Sequence, residues 1–172
     1  MKHQLYCKLY NACSAPLRGK QRLIKALSYA EKALVCLFVA AYVFFCAYVL
    51  FTGGLSWKNL CVTIVLPAAC FGTVSVLRKV LSRPRPYQTT GAGIQPLVKK
   101  DSEGDSFPSR HIASAFVIGT VALSQFVWAG VLCYTAGLYL AAVRFLFGLH
   151  YPTDLCAGAM FGVAFGAFAF LI

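Results

Sequence analysis

The chain has 172 residues, of which 59% are hydrophobic and 12% charged, and its formal net charge is +11. This composition excludes an ordinary soluble domain and predicts an all-α integral membrane protein, a polytopic bundle of about five transmembrane helices. Because the basic residues cluster beside apolar runs, where lipid headgroups are the nearest anions, nucleic-acid binding is not expected.

The first 32 residues form a basic segment with seven Lys or Arg side chains and one acid. Its apolar side chains recur at helical spacing, at Leu5, Tyr6, Leu9, Tyr10, Cys13, Leu23, Ile24 and Leu27. The pattern is typical of an amphipathic helix on an anionic membrane surface, and a solvated basic tail is the alternative. We therefore predict a basic interfacial segment over residues 1–32 and a transmembrane domain over residues 33–172.

Five apolar stretches approach the roughly 20 residues that a helix needs to cross a bilayer. They lie at residues 33–52, 60–77, 111–128, 131–148 and 153–172. Pro67 predicts a kink in the second stretch. The six cysteines within these stretches predict small hydrophobic side chains rather than disulfides, and Cys7 with Cys13 is no standard zinc pattern. Neither a metal nor another cofactor is expected.

Glycines recur every four residues in the last stretch, at Gly158, Gly162 and Gly166. Such a ridge lets another helix backbone approach closely. Packing within the same bundle is the favoured use of this ridge, and a homodimer through the same face is the alternative.

A first polar cluster, RKVLSRPRPY at residues 78–87, closes the second stretch. Its basic side chains can simply flank a membrane span on the cytoplasmic side. However, Pro84 and Pro86 stiffen the segment and hold Arg85 in place, and the planar fork of arginine matches pairs of phosphate oxygens. The cluster therefore predicts either a flank or an anion site.

A second cluster, SFPSRH at residues 106–111, opens the third stretch. Pro108 and Ser109 favour a helix start, where free backbone N–H groups attract anions. Arg110 adds positive charge, and His111 adds an imidazole that can give up a proton. A plain helix cap explains these residues equally well.

A third cluster, made of Arg144, His150 and Asp154, lies where the fourth and fifth stretches meet. Pro152 suits a first helical turn, so His150 is expected just before the last helix and Asp154 inside its first turn. A carboxylate there can hold one imidazole nitrogen and leave the other as a base or nucleophile. A structural helix cap, or an arginine that anchors a helix end, is the alternative.

The order of the clusters along the chain predicts that they share one membrane face. The first ends the second span, the second begins the third span, and the third joins the last two. Together they supply cationic donors, two histidines and a carboxylate, the groups needed to bind a phosphate and displace its ester oxygen.

The three clusters resemble the motifs of the type 2 phosphatidic acid phosphatase (PAP2) superfamily of membrane lipid phosphatases. The matching residues are Arg78 and Arg85-Pro86 for the first motif, Pro108-Ser109-Arg110-His111 for the second, and Arg144, His150 and Asp154 for the third. Three positions depart from the family pattern: Arg78 replaces lysine, Arg110 replaces glycine and Val143 replaces serine. The family usually has a further span before the first motif, which the basic N-terminal segment is expected to replace.

The resemblance implies a role for each matching residue. His150 attacks phosphorus and forms a phosphohistidine, Asp154 orients it, and His111 protonates the leaving oxygen and then activates water. The remaining residues are expected to bind the nonbridging oxygens of the phosphate, namely Arg78, Arg85, Ser109, Arg110 and Arg144. Lys79 and Arg83 are left as outer or headgroup contacts.

The expected substrate is a lipid phosphate monoester or pyrophosphate, and phosphatidic acid, phosphatidylglycerol phosphate and undecaprenyl pyrophosphate all fit. Headgroup selectivity is expected from the loop at residues 87–107, whose charged residues include Lys99, Lys100, Asp101, Glu103 and Asp105. The expected location is the plasma (inner) membrane of a bacterium, among anionic lipids. If the N-terminus is cytoplasmic, two spans return the site to the cytoplasmic face, in agreement with the basic loop.

Two rival functions use the same residues. A proton-coupled transporter would use Arg144, His150 and Asp154 as a relay, but these charges cluster at one face instead of crossing the bilayer. A catalytically silent relative that binds lipid phosphate is the other alternative, because the first and second motifs are altered. Against it, both motif histidines and Asp154 remain.

Overall fold

The computed structural model describes residues 2–53, 56–89, 94–98 and 105–172, which form helices and connecting turns. The main helices are α1 (Lys2–Ser14), α2 (Gln21–Gly53), α3 (Trp57–Leu60), α4 (Leu66–Leu81), α5 (Arg110–Gln125), α6 (Val127–Leu146) and α7 (Pro152–Ala167). A π-helical turn, Cys61–Val65, joins α3 to α4, and short 3-10 turns cover Ala15–Leu17, Pro86–Gln88 and Phe168–Phe170. Four of the five charged residues of the predicted selectivity loop lie outside the described residues, namely Lys99, Lys100, Asp101 and Glu103.

The described helices confirm the predicted all-α membrane bundle. Four of them are long and apolar enough to cross a bilayer, namely Gln21–Gly53, Trp57–Gln88, Val127–Leu146 and Pro152–Phe170. The predicted third span corresponds to α5, which is shorter than expected because Phe126 adopts an extended backbone after Gln125. With 16 residues, α5 is about 24 Å long.

α5 lies at the centre of the bundle, since α4, α6 and α7 all pack against it. On the α4 side, Cys70 and Val74 form one buried cluster with Ala113 and Val117. On the α6 side, a Cβ added at Gly137 would lie 2.9 Å from the Phe116 ring. The neighbouring helices therefore hold the start of α5, where the second polar cluster lies, from several sides.

The glycine ridge of α7 faces α5. A Cβ added at Gly158 would lie 2.6 Å from the Ser109 carbonyl oxygen, and one added at Gly162 would lie 2.6 Å from the Ala113 carbonyl oxygen. Only glycine allows the two backbones to approach this closely. The ridge therefore packs within the bundle against α5, and the homodimer stays a prediction.

α2 is a single helix that begins at Gln21, well before the predicted start of the first span. The boundary predicted between residues 32 and 33 falls inside this helix, and the division of the chain into two units stays a prediction. α2 buries little of its surface, with Ile24, Glu31 and Val49 as its buried residues. Phe51, at 90% exposure, is typical of its outer face, which is suited to contact lipid.

α1 confirms the predicted N-terminal helix, but part of its apolar stripe packs on protein. Tyr10 is fully buried, and its hydroxyl donates to the Gln95 carbonyl oxygen at 2.8 Å. The rings of Tyr6 and Tyr151 lie 4.8 Å apart. Leu9 is 48% exposed, whereas Tyr6 and Tyr10 are buried, and the membrane contact predicted for this helix stays a prediction. α1 therefore lies at the same end of the bundle as the loop before α7.

The irregularity that Pro67 predicts takes the form of the π-helical turn just before it. Because proline has no N–H, the Thr63 carbonyl four residues earlier lacks its usual helical donor. The hydroxyl of Tyr42 in α2 donates to this carbonyl instead. The hydrogen bond joins α2 to the second span within the membrane.

Candidate active site

The three polar clusters meet at one end of the bundle. Nη1 of Arg78 donates to the Pro108 carbonyl oxygen at 2.8 Å, which joins the end of α4 to the start of α5. The backbone N–H of Ser109 donates to the Asp154 carbonyl oxygen at 3.0 Å, which joins α5 to α7. The first and second clusters are thus linked to the third by direct hydrogen bonds.

His150 lies in the turn between α6 and α7 and is 2% exposed. Its Nδ1 lies 3.1 Å from the Ser106 carbonyl oxygen and 3.6 Å from Oδ2 of Asp154. Both neighbouring atoms accept hydrogen bonds, so Nδ1 carries the proton and Nε2 carries the lone pair. The buried surroundings thus favour the tautomer in which the lone pair of Nε2 is free of the Ser106 and Asp154 contacts.

Asp154 is fully buried at the third position of α7, as Pro152 at the helix start predicts. Its Oδ2 accepts the backbone N–H of Tyr151 at 3.0 Å and the hydroxyl hydrogen of Ser106. The carboxylate therefore caps the helix and faces His150 at the same time. The helix cap and the contact with His150, which the sequence left as alternatives for Asp154, are thus both present in one geometry.

Arg83 is the principal site residue whose position the sequence did not predict. Its Nη1 lies 2.8 Å from Oδ1 of Asp154 and donates to Oγ1 of Thr153 at 2.9 Å. Its guanidinium also lies 4.4 Å from the centre of the Tyr151 ring, a cation–π distance. Arg83 therefore contacts the carboxylate that faces His150.

The protonation of His150 is governed by its burial. Removal from water disfavours the imidazolium and lowers the pKa of His150 below its usual value. The neighbouring Asp154 acts in the opposite direction, whereas the positive charges of Arg144 and Arg85 lower the pKa further. The imidazole is accordingly held neutral, the form in which a lone pair is available.

Several predicted phosphate-binding groups are buried near this histidine. Arg78 and Arg85 are each 6% exposed, and Ser109 is fully buried at the N-terminal cap of α5. The Ser109 hydroxyl has no hydrogen-bond partner among the described residues. Because a buried hydroxyl without a partner is costly, this position favours a ligand that offers an oxygen acceptor.

Arg144 is buried near the end of α6 and pairs with a residue that the motifs do not include. Its Nη2 lies 2.6 Å from Oε1 of Glu31 in α2, while its Nε finds no partner in the described part of the chain. A cavity of about 480 Å³ is lined by both of these residues together with His111 and Lys32. Glu31 therefore lies within the region predicted to bind phosphate.

Arg110 and His111 are exposed at the start of α5 and border a second, largely apolar cavity of about 430 Å³. The guanidinium of Arg110 lies 5.8 Å from the centre of the Phe71 ring. The remaining lining is mostly apolar and comes from α2, α5 and α6, including Phe38, Ala115 and Leu140. The structure thus places Arg110 against an aromatic ring at the polar end of an apolar cleft.

The described residues contain no group of three or more His, Cys, Asp or Glu side chains arranged to hold a metal ion. The polar groups of the site are instead a histidine–carboxylate pair surrounded by arginines. Such a set in a helical membrane bundle is suited to binding an anionic group at the membrane surface.

Comparison with known families agrees with this description. The family model described as the PAP2 superfamily matches residues 56–172, which include all three polar clusters. The chain belongs to the PAP2 superfamily. No curated protein sequence matches the chain.

Two solved structures share the fold. LpxE of Aquifex aeolicus is 21% identical with a TM-score of 0.68, covering 96% of this chain and 94% of that one. The first transmembrane PAP2-type phosphatidylglycerolphosphate phosphatase from Bacillus subtilis is 18% identical with a TM-score of 0.64, covering 96% of this chain and 83% of that one. The N-terminal helices α1 and α2, which the family model does not include, are therefore part of the shared architecture.

Proposed function

We propose that this chain is a metal-independent lipid phosphatase that hydrolyses a phosphate monoester or pyrophosphate through a phosphohistidine at His150. The observation that carries the proposal is the position of His150, whose Nδ1 faces Ser106 and Asp154 so that Nε2 is the nucleophile. Membership in the PAP2 superfamily agrees with this chemistry.

In the first step, Nε2 of His150 forms a bond to phosphorus while the bond from phosphorus to the lipid oxygen breaks. His111 donates a proton to the departing oxygen, so the lipid leaves as an alcohol, or as a lipid phosphate when the substrate is a pyrophosphate. In the second step, His111 removes a proton from water, which attacks phosphorus and releases inorganic phosphate from His150. Asp154 stabilises the positive charge on the imidazole, and Arg83 positions Asp154.

The side chains proposed to bind the phosphate oxygens are those of Arg78, Arg85, Ser109, Arg110 and Arg144. The Ser109 hydroxyl and Nε of Arg144 support this assignment, since both are buried donors that no described residue engages. Donors fixed in advance in a buried site stabilise the charge that develops on phosphorus oxygens more than donors in water. Arg110, which stands over Phe71, would contact the phosphate from the side of the apolar cleft.

The apolar cleft next to Arg110 and His111 supports a lipid substrate. Its lining from α2 and α5 suits acyl or prenyl chains, which can remain in the bilayer while the headgroup reaches the histidines. The Bacillus subtilis neighbour is a phosphatidylglycerolphosphate phosphatase by name. Phosphatidic acid, phosphatidylglycerol phosphate and undecaprenyl pyrophosphate are the substrates we propose to compare.

We place the protein in the plasma membrane of a bacterium with its site at the cytoplasmic face. α1 packs against Tyr151 beside the site, so the N-terminal helix and the site share one end of the bundle. The basic residues of α1 and of the segment before α2 favour the cytoplasmic side. A cysteine-reactive reagent that cannot cross membranes tests this placement, because it should label the exposed Cys13 only in inverted vesicles.

The decisive experiment measures phosphate release in detergent with excess EDTA from the three lipids, comparing the wild type with His150→Ala. We expect release by the wild type that survives chelation and is abolished in the variant. Acid-labile phosphate on the wild-type protein, trapped during turnover, would identify the phosphohistidine directly.

Absence of release from all three lipids by a folded wild-type protein would overturn the proposal and favour the silent lipid-binding relative. Release that EDTA abolishes would overturn the metal-independent mechanism. Release that persists in His150→Ala would remove His150 as the nucleophile.

A further inference from the structure

Glu31 occupies an unusual position for an acidic side chain in this protein. It is the only acid before residue 101, and it lies in a helix with only two other buried residues, Ile24 and Val49. Its side chain is 11% exposed, and its carboxylate lies 2.6 Å from Nη2 of Arg144, which is itself 5% exposed. A buried carboxylate is costly unless it is paired, so its contact with Arg144 calls for an explanation.

The partner of Glu31 is one of the arginines proposed to bind the substrate phosphate. A carboxylate and a phosphate both present oxygens to the planar guanidinium and therefore compete for the same donors. The two anions would also repel each other inside one cavity, which Glu31, Arg144 and His111 line together. A phosphate on Arg144 and a carboxylate in its present place are thus in conflict.

We propose that Glu31 is a gate residue whose carboxylate competes with the substrate phosphate for Arg144 and withdraws when the phosphate binds. This inference rests on the proposed phosphatase function. Glu31 keeps the buried guanidinium paired, which avoids the cost of an isolated charge, and at the same time weakens the binding of any oxyanion. Only a ligand that engages several of the arginines at once then displaces the carboxylate.

The packing of α2 supports such a withdrawal. Besides Glu31, the buried residues of α2 are Ile24 and Val49, so a shift of the helix near Glu31 disturbs the cluster of Ile24 with Val143 and Phe147 and few other fully buried side chains. Arg144, in contrast, belongs to α6, which packs against the central α5. The proposal therefore assigns the withdrawal to Glu31 and keeps Arg144 in place.

The test uses orthovanadate, an oxyanion that adopts the geometry of phosphoryl transfer, as the inhibitor of the purified full chain. Glu31→Gln keeps the size and a hydrogen-bond acceptor but removes the charge. We expect the inhibition constant for vanadate to fall by about tenfold and KM to fall in the same direction, because the competing anion is gone. A weaker inhibition or a higher KM would overturn the gate and make Glu31 a residue that positions Arg144.

Lys32→Gln is the matched control, because Lys32 follows Glu31 in α2 and lines the same cavity. This variant removes a positive charge and is expected to leave vanadate inhibition the same or weaker. Equal tightening in both variants would overturn the proposal, since it would report a general loosening of α2.

A second variant keeps the test valid if Glu31→Gln does not fold, as judged by thermal unfolding in detergent. Glu31→Asp retains the charge but withdraws it by one methylene, and we expect tighter vanadate inhibition by a smaller factor. Unchanged or weaker inhibition would again overturn the gate. Wild-type protein that neither hydrolyses lipid phosphate nor binds vanadate would refute the phosphatase function itself, whereas active wild type with no tightening refutes only the gate.

Discussion

The region formed by α5, α6 and α7 is packed differently from the region formed by the helices before α4. α5 and α7 meet along glycines, where Gly158 and Gly162 bring backbone atoms into contact. α2 meets the same bundle through a few side chains and exposes most of its surface to lipid. His150, the proposed nucleophile, and its carboxylate partner Asp154 belong to the first region, and Glu31 belongs to the second.

This difference separates two requirements of the proposed chemistry. His150, Asp154 and Ser109 need a fixed geometry, because a small displacement of a reacting group is costly. A lipid substrate needs a way in, and α2, which borders the apolar cleft, is the least buried of the four candidate spans in the described part of the chain. The predictions below test whether rigidity and access are divided between the regions in this way.

The largest effect is expected for Gly158→Ala. The new methyl group would meet the Ser109 carbonyl oxygen at 2.6 Å and would push α5 and α7 apart at the site. We expect kcat/KM to fall by about 100-fold and stability to fall by about 1–3 kcal/mol. Lipid phosphate hydrolysis and thermal unfolding in detergent measure both quantities.

Gly72→Ala is the control for that prediction, since a Cβ at Gly72 meets no atom of the described chain within 4 Å. It should retain full activity and gain slightly in stability, because alanine favours a helix. Equal losses in the two variants would contradict the claim that the α5–α7 contact is the sensitive one.

A smaller effect is expected for Arg83→Gln, which removes the 2.8 Å ion pair to Asp154. If Arg83 positions the carboxylate, kcat should fall by about tenfold to 100-fold with little change in KM. Lys79→Gln, at an exposed position on α4, should leave both constants unchanged. A raised KM with normal kcat would instead restore the headgroup contact first predicted for Arg83.

A modest effect is expected in the N-terminal region from Tyr10→Phe. The substitution keeps the buried ring and removes the hydroxyl that donates to Gln95, at a cost of about 1 kcal/mol. We expect a lower melting temperature with activity close to that of the wild type. Tyr29→Phe, at a site 70% exposed, should change neither. Loss of activity in Tyr10→Phe would show that α1 belongs to the rigid region.

The smallest effect is a displacement of the pH profile. Because burial lowers the pKa of His150, the neutral imidazole persists to lower pH than in an exposed histidine. The acid limb of kcat/KM, which reports the free enzyme, should therefore lie below about 6.5. An acid limb at or above that value would mean that water reaches His150, as expected for a loosely packed site.

Much of the fold was predictable because long apolar runs and helix-start residues act locally. Pro152 correctly predicted the start of α7 and placed Asp154 in its first turn. The start of α2 at Gln21 was not predictable from apolar length, because its first turns are charged and yet continue the same helix. The early end of α5 follows from an extended Phe126, which no strong turn residue signals.

The motifs of the candidate site were predictable from the sequence, but the contacts between individual side chains were not. The sequence predicted that the three clusters would meet, yet spacing alone did not distinguish Arg83, which contacts Asp154, from the exposed Lys79. Glu31 was missed because its partner is more than 100 residues away and no motif contains it. Its scarcity, as the lone acid in a basic segment, was the signal that the sequence offered for it.

The proline in the second span has a mechanical consequence for the first. The Thr63 carbonyl that Pro67 leaves without a donor accepts a hydrogen bond from the hydroxyl of Tyr42. This hydrogen bond holds α2 at one point within the membrane. Glu31 lies eleven residues before Tyr42 in α2, a distance of about 16 Å along the helix axis. A tilt of α2 by about 10° around Tyr42 would move the Glu31 carboxylate by roughly 3 Å, which is enough to separate it from the Arg144 guanidinium. In the proposed withdrawal of Glu31, the carbonyl that Pro67 leaves without a donor would thus hold α2 at Tyr42 while the N-terminal part of the helix moves.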